Sequence, residues 1–291
     1  MSPSGSFRIG DVELTPLLDG AQDLGGPIQE SFPSVPKDAW PGINAEHPGL
    51  VSAAGTWRLH VRCTLVRLPG RTILVDSGVG FVLSPSWFGA PGRLLEELSV
   101  IAVDPSEIDT VVVTHVHDDH IRGTVTAERR IAFPNARFVI QRADLEWERE
   151  WAEREEEDRV LFDALLRPLE EAGALELVDG DHSLTAGVRL RRLPGHTPGH
   201  QIVEIEAEGR RVVISADTFN HPAQIGSPDW FANSDDDHDR ANASRRTLLA
   251  EVADTGAIVA PSHFLAPFGR IITGADGRST WAAIDSFEQA T

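Results

Sequence analysis

His115, Val116, His117, Asp118, Asp119 and His120 follow directly on the apolar run Ile108 to Thr114. Imidazole and carboxylate are the nitrogen and oxygen donors that zinc and similar borderline metals prefer, so this hexapeptide reads as a metal site. Thr110 to Thr114 reads as a buried strand. In an extended segment leaving it, residues two apart point to one side, which lets His115 and His117 meet at a single ion. Asp119 and His120 are adjacent and diverge, and they suit a second ion a few ångströms away.

These ligands need elements to hold them. At 291 residues and 41% hydrophobic, the chain can bury a large core. No stretch reaches the roughly 18 apolar residues of a membrane span, and Met1 to Gly10 lacks the pattern of a signal peptide, so a cytoplasmic enzyme is expected. Cys63 is the only cysteine, which excludes an intramolecular disulfide, a thiolate zinc cluster and a sulfur-ligated iron cluster. A formal charge of −19 argues against nucleic acid and anionic membrane as partners and leaves a small molecule as the expected one.

Along the chain, strand and helix patterns alternate. Phe7 to Asp19 reads as a strand pair turning at Gly10-Asp11. Residues 20–56, rich in Pro and Gly and carrying Trp40 and His47, read as a long N-terminal loop or lid, a length usual for functional segments. Trp57 to Leu68 and Arg71 to Val75 read as a hairpin, Arg93 to Ser99 as a short helix, and Asp104 to Glu107 as a capped helix start. Arg137 to Gln141 is a strand and Ala143 to Glu171 a charged helix. Its apolar positions are Trp147, Trp151, Leu161, Phe162 and Leu165, and its acidic tract Glu153 to Asp158 reads as a solvated face. Strands at Val188 to Leu193, Gln201 to Glu206, Arg211 to Ser215 and Ile258 to Ala260 and a helix at Arg240 to Asp254 complete the pattern. Metal-ligand residues recur where strands end, which is how one edge of a layered fold builds a site.

The segments VDSG at Val75 to Gly78, THVHDDH at Thr114 to His120, PGHTPGH at Pro194 to His200, SAD at Ser215 to Asp217 and PSH at Pro261 to His263 resemble, in order, the five signatures of the metallo-β-lactamase superfamily. The resemblance spans nearly the whole chain. It implies an α/β fold, the αββα sandwich of two mixed sheets flanked by helices, with 1–291 as a single domain and a dinuclear metal centre at one edge. By position, His115, His117 and His196 would hold one Zn2+, Asp119, His120 and His263 a second, and Asp217 would bridge them. Asp76 and His200 would orient ligands without touching metal. The complete His/Asp set favours two-zinc hydrolases over the iron oxygen-reductase branch, which usually has glutamate in place of the second histidine of the run.

Two cations sharing a bridging water would supply hydroxide near neutral pH, one of them stabilising the oxyanion, with Asp119 passing the proton to the leaving group. Ala216 to Leu249 further resembles the methyl parathion hydrolase and lactonase-like branch, in which a His-Pro pair follows the bridging aspartate and a long helix comes after an acidic turn. The expected reaction is cleavage of a small neutral ester, first of all a lactone. A thioesterase or cyclase of a polyketide-type pathway and an organophosphate triester hydrolase are the alternatives. The N-terminal segment fits a pocket wall or a homodimer contact in that branch. Many acyl-homoserine lactonases place a tyrosine beside the metals, whereas this chain has no tyrosine, so either His221 or backbone groups would take its catalytic place or the substrate is different. Asp235 to Asp239 lacks the Gly and terminal Glu of an EF-hand loop and reads as a charged approach to the next helix.

Overall fold

Alternation along the strands divides the apolar residues among three layers of core. In the computed structural model, which describes residues 5–81, 89 and 91–284, strand Arg71–Val75 sends Ile73 and Val75 to one side and Leu74 to the other. Residues 1–4, 82–88, 90 and 285–291 of the expected single domain lie outside the described residues.

The first sheet runs in sequence order: β1 (Phe7–Ile9), β2 (Val12–Asp23), β3 (Arg58–Leu68), β4 (Arg71–Val75), β5 (Thr110–Val112), β6 (Arg137–Gln141) and β7 (Leu175–Val178). Its first four strands pair antiparallel and β4 through β7 pair parallel. The second sheet is built from β8 (His182–Thr185), β9 (Val188–Arg192), β10 (Gln201–Ala207), β11 (Arg210–Ala216), β12 (Ile258–Pro261), β13 (Gly269–Thr273) and β14 (Ser279–Ala283), with β11 and β12 parallel and the other pairs antiparallel. Val66, Ile73, Val112 and Val139 of the first sheet meet Leu190, Val203, Val212 and Ile258 of the second in the central core. Leu74, Val111, Phe138 and Ile140 face outward onto helices carrying Leu98, Leu145 and Phe162. Ile202, Val213 and Val259 face the helix His238–Val252 through Leu248, Leu249 and Val252. Helices thus cover both outer faces of two mixed sheets. Among the described residues, no helix is long and apolar enough to cross a membrane.

Several elements depart from expectation. β2 continues to Asp23, and 20–56 contains the helices Ile28–Ser31 and Trp40–Glu46 with a 3-10 turn between them instead of one long loop. Ile28, Phe32, Val35, Trp40 and Ile43 are buried against Trp57, Leu59, Ala223 and Ala232, so burial orders a segment whose Pro and Gly content reads as irregular. The stretch 143–171 is three helices, Arg142–Arg154, Glu156–Leu165 and Arg167–Glu171. The capping box at Asp104 is formed, but it closes a single 3-10 turn, Pro105–Glu107. β7, β8, β13 and β14 have no counterpart in the sequence reading, being short and, apart from β7's Val178 and β13's Gly269 and Ile271, incompletely buried.

Candidate metal centre

Strand ends bring the ligand-type residues together. β4 is followed by Asp76 at φ 62° and β11 ends in Ala216 at φ 43°, left-handed backbone in non-glycine residues just where each strand reaches the site. β5 leads into His115, and the helix Asp118–Ile121 opens immediately after His117.

His115, His117 and His196 form one group of donors; His115, His120 and Asp217 form another; Asp119, His120 and His263 form a third, each with its donor atoms within 4.8 Å of one another. His117 Nδ1 lies 2.9 Å from His196 Nε2, and His196 Nε2 lies 3.3 Å from Asp217 Oδ2. Asp217 Oδ1 lies 3.3 Å from His120 Nε2 and its Oδ2 3.0 Å from His263 Nε2, while Asp119 Oδ2 is 3.5 Å from both His120 and His263. Donors arranged tetrahedrally about zinc at about 2.0 Å are separated by roughly 3.3 Å, so the spacing suits such an ion. His115 Nε2, His120 Nε2 and Asp217 Oδ1 are also buried with no hydrogen-bond partner, a costly arrangement for polar atoms unless a cation takes them up. The donor set therefore fits metal. Asp217 stands between the two histidine groups, within 3.3 Å of His196 and His120 and 3.0 Å of His263.

The electrostatics of the donor groups point the same way. Burial, then the neighbouring imidazoles, hold His115 and His117 well below the usual histidine range, which keeps their nitrogens free to ligate. Burial works against charge on Asp217, yet His263, His120 and His196 hold its carboxyl well below the usual range.

Around these donors, buried partners fix the rings. Asp76 Oδ2 lies 2.7 Å from His120 Nδ1, and the same carboxylate accepts the Thr114 amide and hydroxyl. His200 Nδ1 is 3.0 Å from the Leu193 carbonyl, and its Nε2 accepts the Asp217 amide at 3.2 Å, so it steadies Asp217 and is itself held neutral by burial, down to about 3. His263 Nδ1 is 2.7 Å from the carbonyl of His60, a residue to which its sequence context assigns no role. Asp144 accepts the Thr197 hydroxyl and the Gly199 amide, anchoring the loop around His196. That loop also lies so close to the next helix that a Cβ on Gly195, at φ +134°, would sit 2.1 Å from the Ala241 nitrogen.

His221 is placed elsewhere. Adjacent residues diverge: Asn220 lines the cavity and donates to Asp217 Oδ2 at 2.8 Å, while His221 packs edge-on against Phe32, Trp40 and His47. Burial drives its imidazole down to about 3. Of these two neighbours, it is Asn220 whose side chain reaches Asp217.

The cavity above the donors measures about 540 Å3. Leu24, Trp57 and Leu59 line it with apolar surface, as do Trp147, Trp151 and Leu161 from the helices Arg142–Arg154 and Glu156–Leu165, and Asp118, Glu148 and Asp158 line it as well. The tract 153–158 is therefore not wholly a solvated face, because Asp158 looks into the cavity. Asp235 is the other residue hidden by its context. It sits in an acidic run yet is buried, with Oδ1 2.8 Å from His196 Nδ1. Its position three residues after the apolar stretch Trp230 to Ala232, at the start of the acidic run, is the one signal in the sequence that sets it apart.

The sequence profile of the Metallo-beta-lactamase superfamily matches residues 56–263. An N-acyl homoserine lactonase of Bacillus cereus is 31% identical over 171 residues, 54% of this chain and 62% of that protein. Another, from Bacillus sp, is 33% identical over 116 residues, 40% of each. The chain thus spans 40% to 62% of the length of these curated relatives. Among solved structures, hydrolase AbOPH of the beta lactamase superfamily has a TM-score of 0.84 at 22% identity, covering 98% of both chains. AidC, a dizinc quorum-quenching lactonase in complex with a product N-hexanoyl-L-homoserine, has a TM-score of 0.81 at 24% identity, again over 98% of both. At these identities the two structures establish a shared fold.

Proposed function

The chain belongs to the metallo-β-lactamase superfamily, and on that premise we propose that it is a two-zinc hydrolase of small neutral esters, with lactones as its preferred substrates. The observation that carries this reading is the row of donor groups around Asp217 at the base of a cavity with apolar walls. His115, His117 and His196 would hold one ion, Asp119, His120 and His263 the other, and Asp217 both. Bound there, the two ions would lower the pKa of water toward neutrality and polarise the ester carbonyl.

The chain's own residues do the rest. Asp119, 7% exposed at the base of the cavity, takes the proton released as the water oxygen joins the carbonyl carbon. It returns that proton to the alkoxide as the acyl–oxygen bond breaks, giving a carboxylic acid and an alcohol, which for a lactone remain in one molecule. Trp57, Leu59, Trp147 and Leu161 exclude water and bury the apolar part of the substrate. The carboxyls of Asp118 and Asp158 disfavour an anionic substrate, which supports neutral esters. The N-acyl homoserine lactonases matched over part of the chain support the choice of lactones.

One metal-loaded preparation assayed against lactones, aryl esters, thioesters, phosphotriesters and β-lactams tests the reading. Lactones should give the highest kcat/KM, and purified protein should carry close to two zinc ions per chain. Absence of turnover with every lactone would overturn the substrate assignment, and a catalytically required iron pair would overturn the chemistry.

A further inference from the structure

The acidic run 235–239 lies next to the site, and only its first carboxylate is buried. Its backbone is laced to the loop that carries His196: the Asp236 amide donates to the His196 carbonyl at 3.1 Å and the Asp237 amide to the Gly195 carbonyl at 2.9 Å. Asp235 then turns inward. Its Oδ2 accepts the Ala232 amide at 3.0 Å and lies 3.3 Å from Arg245 Nη2, leaving Oδ1 for His196 Nδ1 at 2.8 Å.

Arg245 is 1% exposed, and a guanidinium so deep is tolerated only when its donors are met. They are met by backbone carbonyls of the segment 218–230 and by a side chain of its own helix. Nε donates to the Thr218 carbonyl at 2.9 Å, and Nη1 reaches the carbonyls of Pro228 and Trp230, both at 2.9 Å, and Asn242 Oδ1 at 2.7 Å. Thr218 follows Asp217 directly, and Gln224, which donates to the Trp230 carbonyl at 3.0 Å, accepts the Asn220 amide at 2.7 Å. One buried cation thus touches the loop after Asp217 and, through Asp235, the ring of His196.

Ala232 N–H and the guanidinium can only donate, so the carboxylate they flank is an acceptor, and the His196 nitrogen facing it must carry the hydrogen. We propose that Arg245 and Asp235 are positioning residues that fix His196 with Nδ1 protonated and Nε2 turned to the metal, and that tie its placement to that of Asp217. Neither residue touches substrate. Their effect is on how well the first ion is held, and this inference rests on the metal-centre reading given above.

Zinc affinity of the full chain, measured by competition with a chromophoric chelator, and the visible spectrum of the cobalt-loaded protein test it. Asp235→Asn should weaken one of the two zinc sites by roughly 10- to 100-fold, the range for partners that orient a ligand, and alter the cobalt spectrum. Arg245→Lys, which keeps the charge but loses the planar fork, should do the same to a smaller degree and serves if Asp235→Asn does not fold. Val252→Ala, a core truncation on the same helix, should lower the melting temperature while leaving zinc affinity and spectrum as in the wild type. Wild-type affinity and spectrum in both polar variants would overturn the pair's role, as would an equal loss of zinc affinity in Val252→Ala. A wild-type protein that binds no zinc would instead overturn the metal-centre reading itself.

Discussion

Asp76 grips His120 from behind: its Oδ2 lies 2.7 Å from the ring's Nδ1 while its Oδ1 accepts the Thr114 amide at 2.8 Å. One carboxylate thereby sets both a ligand ring and the strand end from which His115 departs. Asp76→Ala leaves a buried amide unsatisfied and puts alanine at φ 62°, a combined cost on the order of 3 kcal/mol. Asp76→Asn tolerates the left-handed backbone and keeps an acceptor for Thr114, so it should lose less stability than alanine while still weakening zinc binding at least about tenfold. Urea midpoints in chelator and zinc competition separate the two effects, and equal midpoints for the two variants would contradict the account.

Removing metal should destabilise the fold itself, because the donors come from loops that only the folded chain assembles. At a hundredfold excess of zinc over its dissociation constant, linkage adds about 2.7 kcal/mol of stability, which corresponds to a rise of several degrees in melting temperature. Asp217→Ala should abolish ester and lactone hydrolysis and most of that zinc-dependent rise. A stripped wild-type protein melting with the loaded one would speak against a resident metal.

How much of this could be read from the sequence depends on whether a residue's role is set locally. The His and Asp donors of 115–120 come together with His196, Asp217 and His263, and the strands β4, β5, β6, β10 and β11 follow from short-range spacing and period-two burial and lie where the spacing puts them. Asp235 does not, because four of the five residues in its run are exposed and only the depth of one turn distinguishes it. His221, from its place after Asp217, reads as either a substrate-facing group or a plain loop residue, and the fold packs it into the aromatic cluster of Phe32 and Trp40. The order within 20–56 is equally non-local, arising from packing against Ala223 and Ala232 some two hundred residues away.

Trp147 should govern affinity more than turnover. Its ring meets His117 edge-on with centroids 6.1 Å apart, and together with Leu161 it lines one wall of the cavity. Trp147→Ala removes apolar contact worth about 1–3 kcal/mol, so KM for a long-chain lactone should rise roughly 10- to 100-fold with kcat changed less. Steady-state kinetics over a series of acyl lengths would show the penalty growing with length; a uniform loss of kcat would mean that the wall positions the metals instead.

Glu148 predicts a pH dependence of binding. Burial, followed by the like charges of Asp158, Asp118 and Asp144, pushes its carboxyl up to about 8. Below that midpoint this carboxyl is neutral, and above it the cavity gains a charge beside the apolar part of the substrate, so KM for a neutral ester should increase with pH. Zinc ions bound at the proposed centre would favour the carboxylate and move the midpoint downward. Glu148→Gln keeps the side chain neutral throughout and should flatten the KM profile while leaving kcat alone. A KM profile with the same step in the variant would assign the step to another group.

The pair Asn220 and His221 offers the sharpest test of which neighbour of Asp217 serves the reaction. His221 is 1% exposed, its Nε2 is buried without a hydrogen-bond partner, and its ring is surrounded by Phe32, Trp40 and His47. Phenylalanine fills similar space and carries no polar atom to desolvate, although it gives up the 3.1 Å contact from the Ala223 amide to Nδ1. These effects oppose one another at about 1–2 kcal/mol each, so His221→Phe should fold with nearly unchanged stability and keep kcat within about threefold. Asn220 faces the cavity and donates to the Asp217 carboxylate, a hydrogen bond to a charged acceptor worth about 1.5–3 kcal/mol. Asn220→Ala should therefore lower kcat/KM by about tenfold or more. The opposite ranking, with His221→Phe inactive and Asn220→Ala unaffected, would return the catalytic role to the histidine.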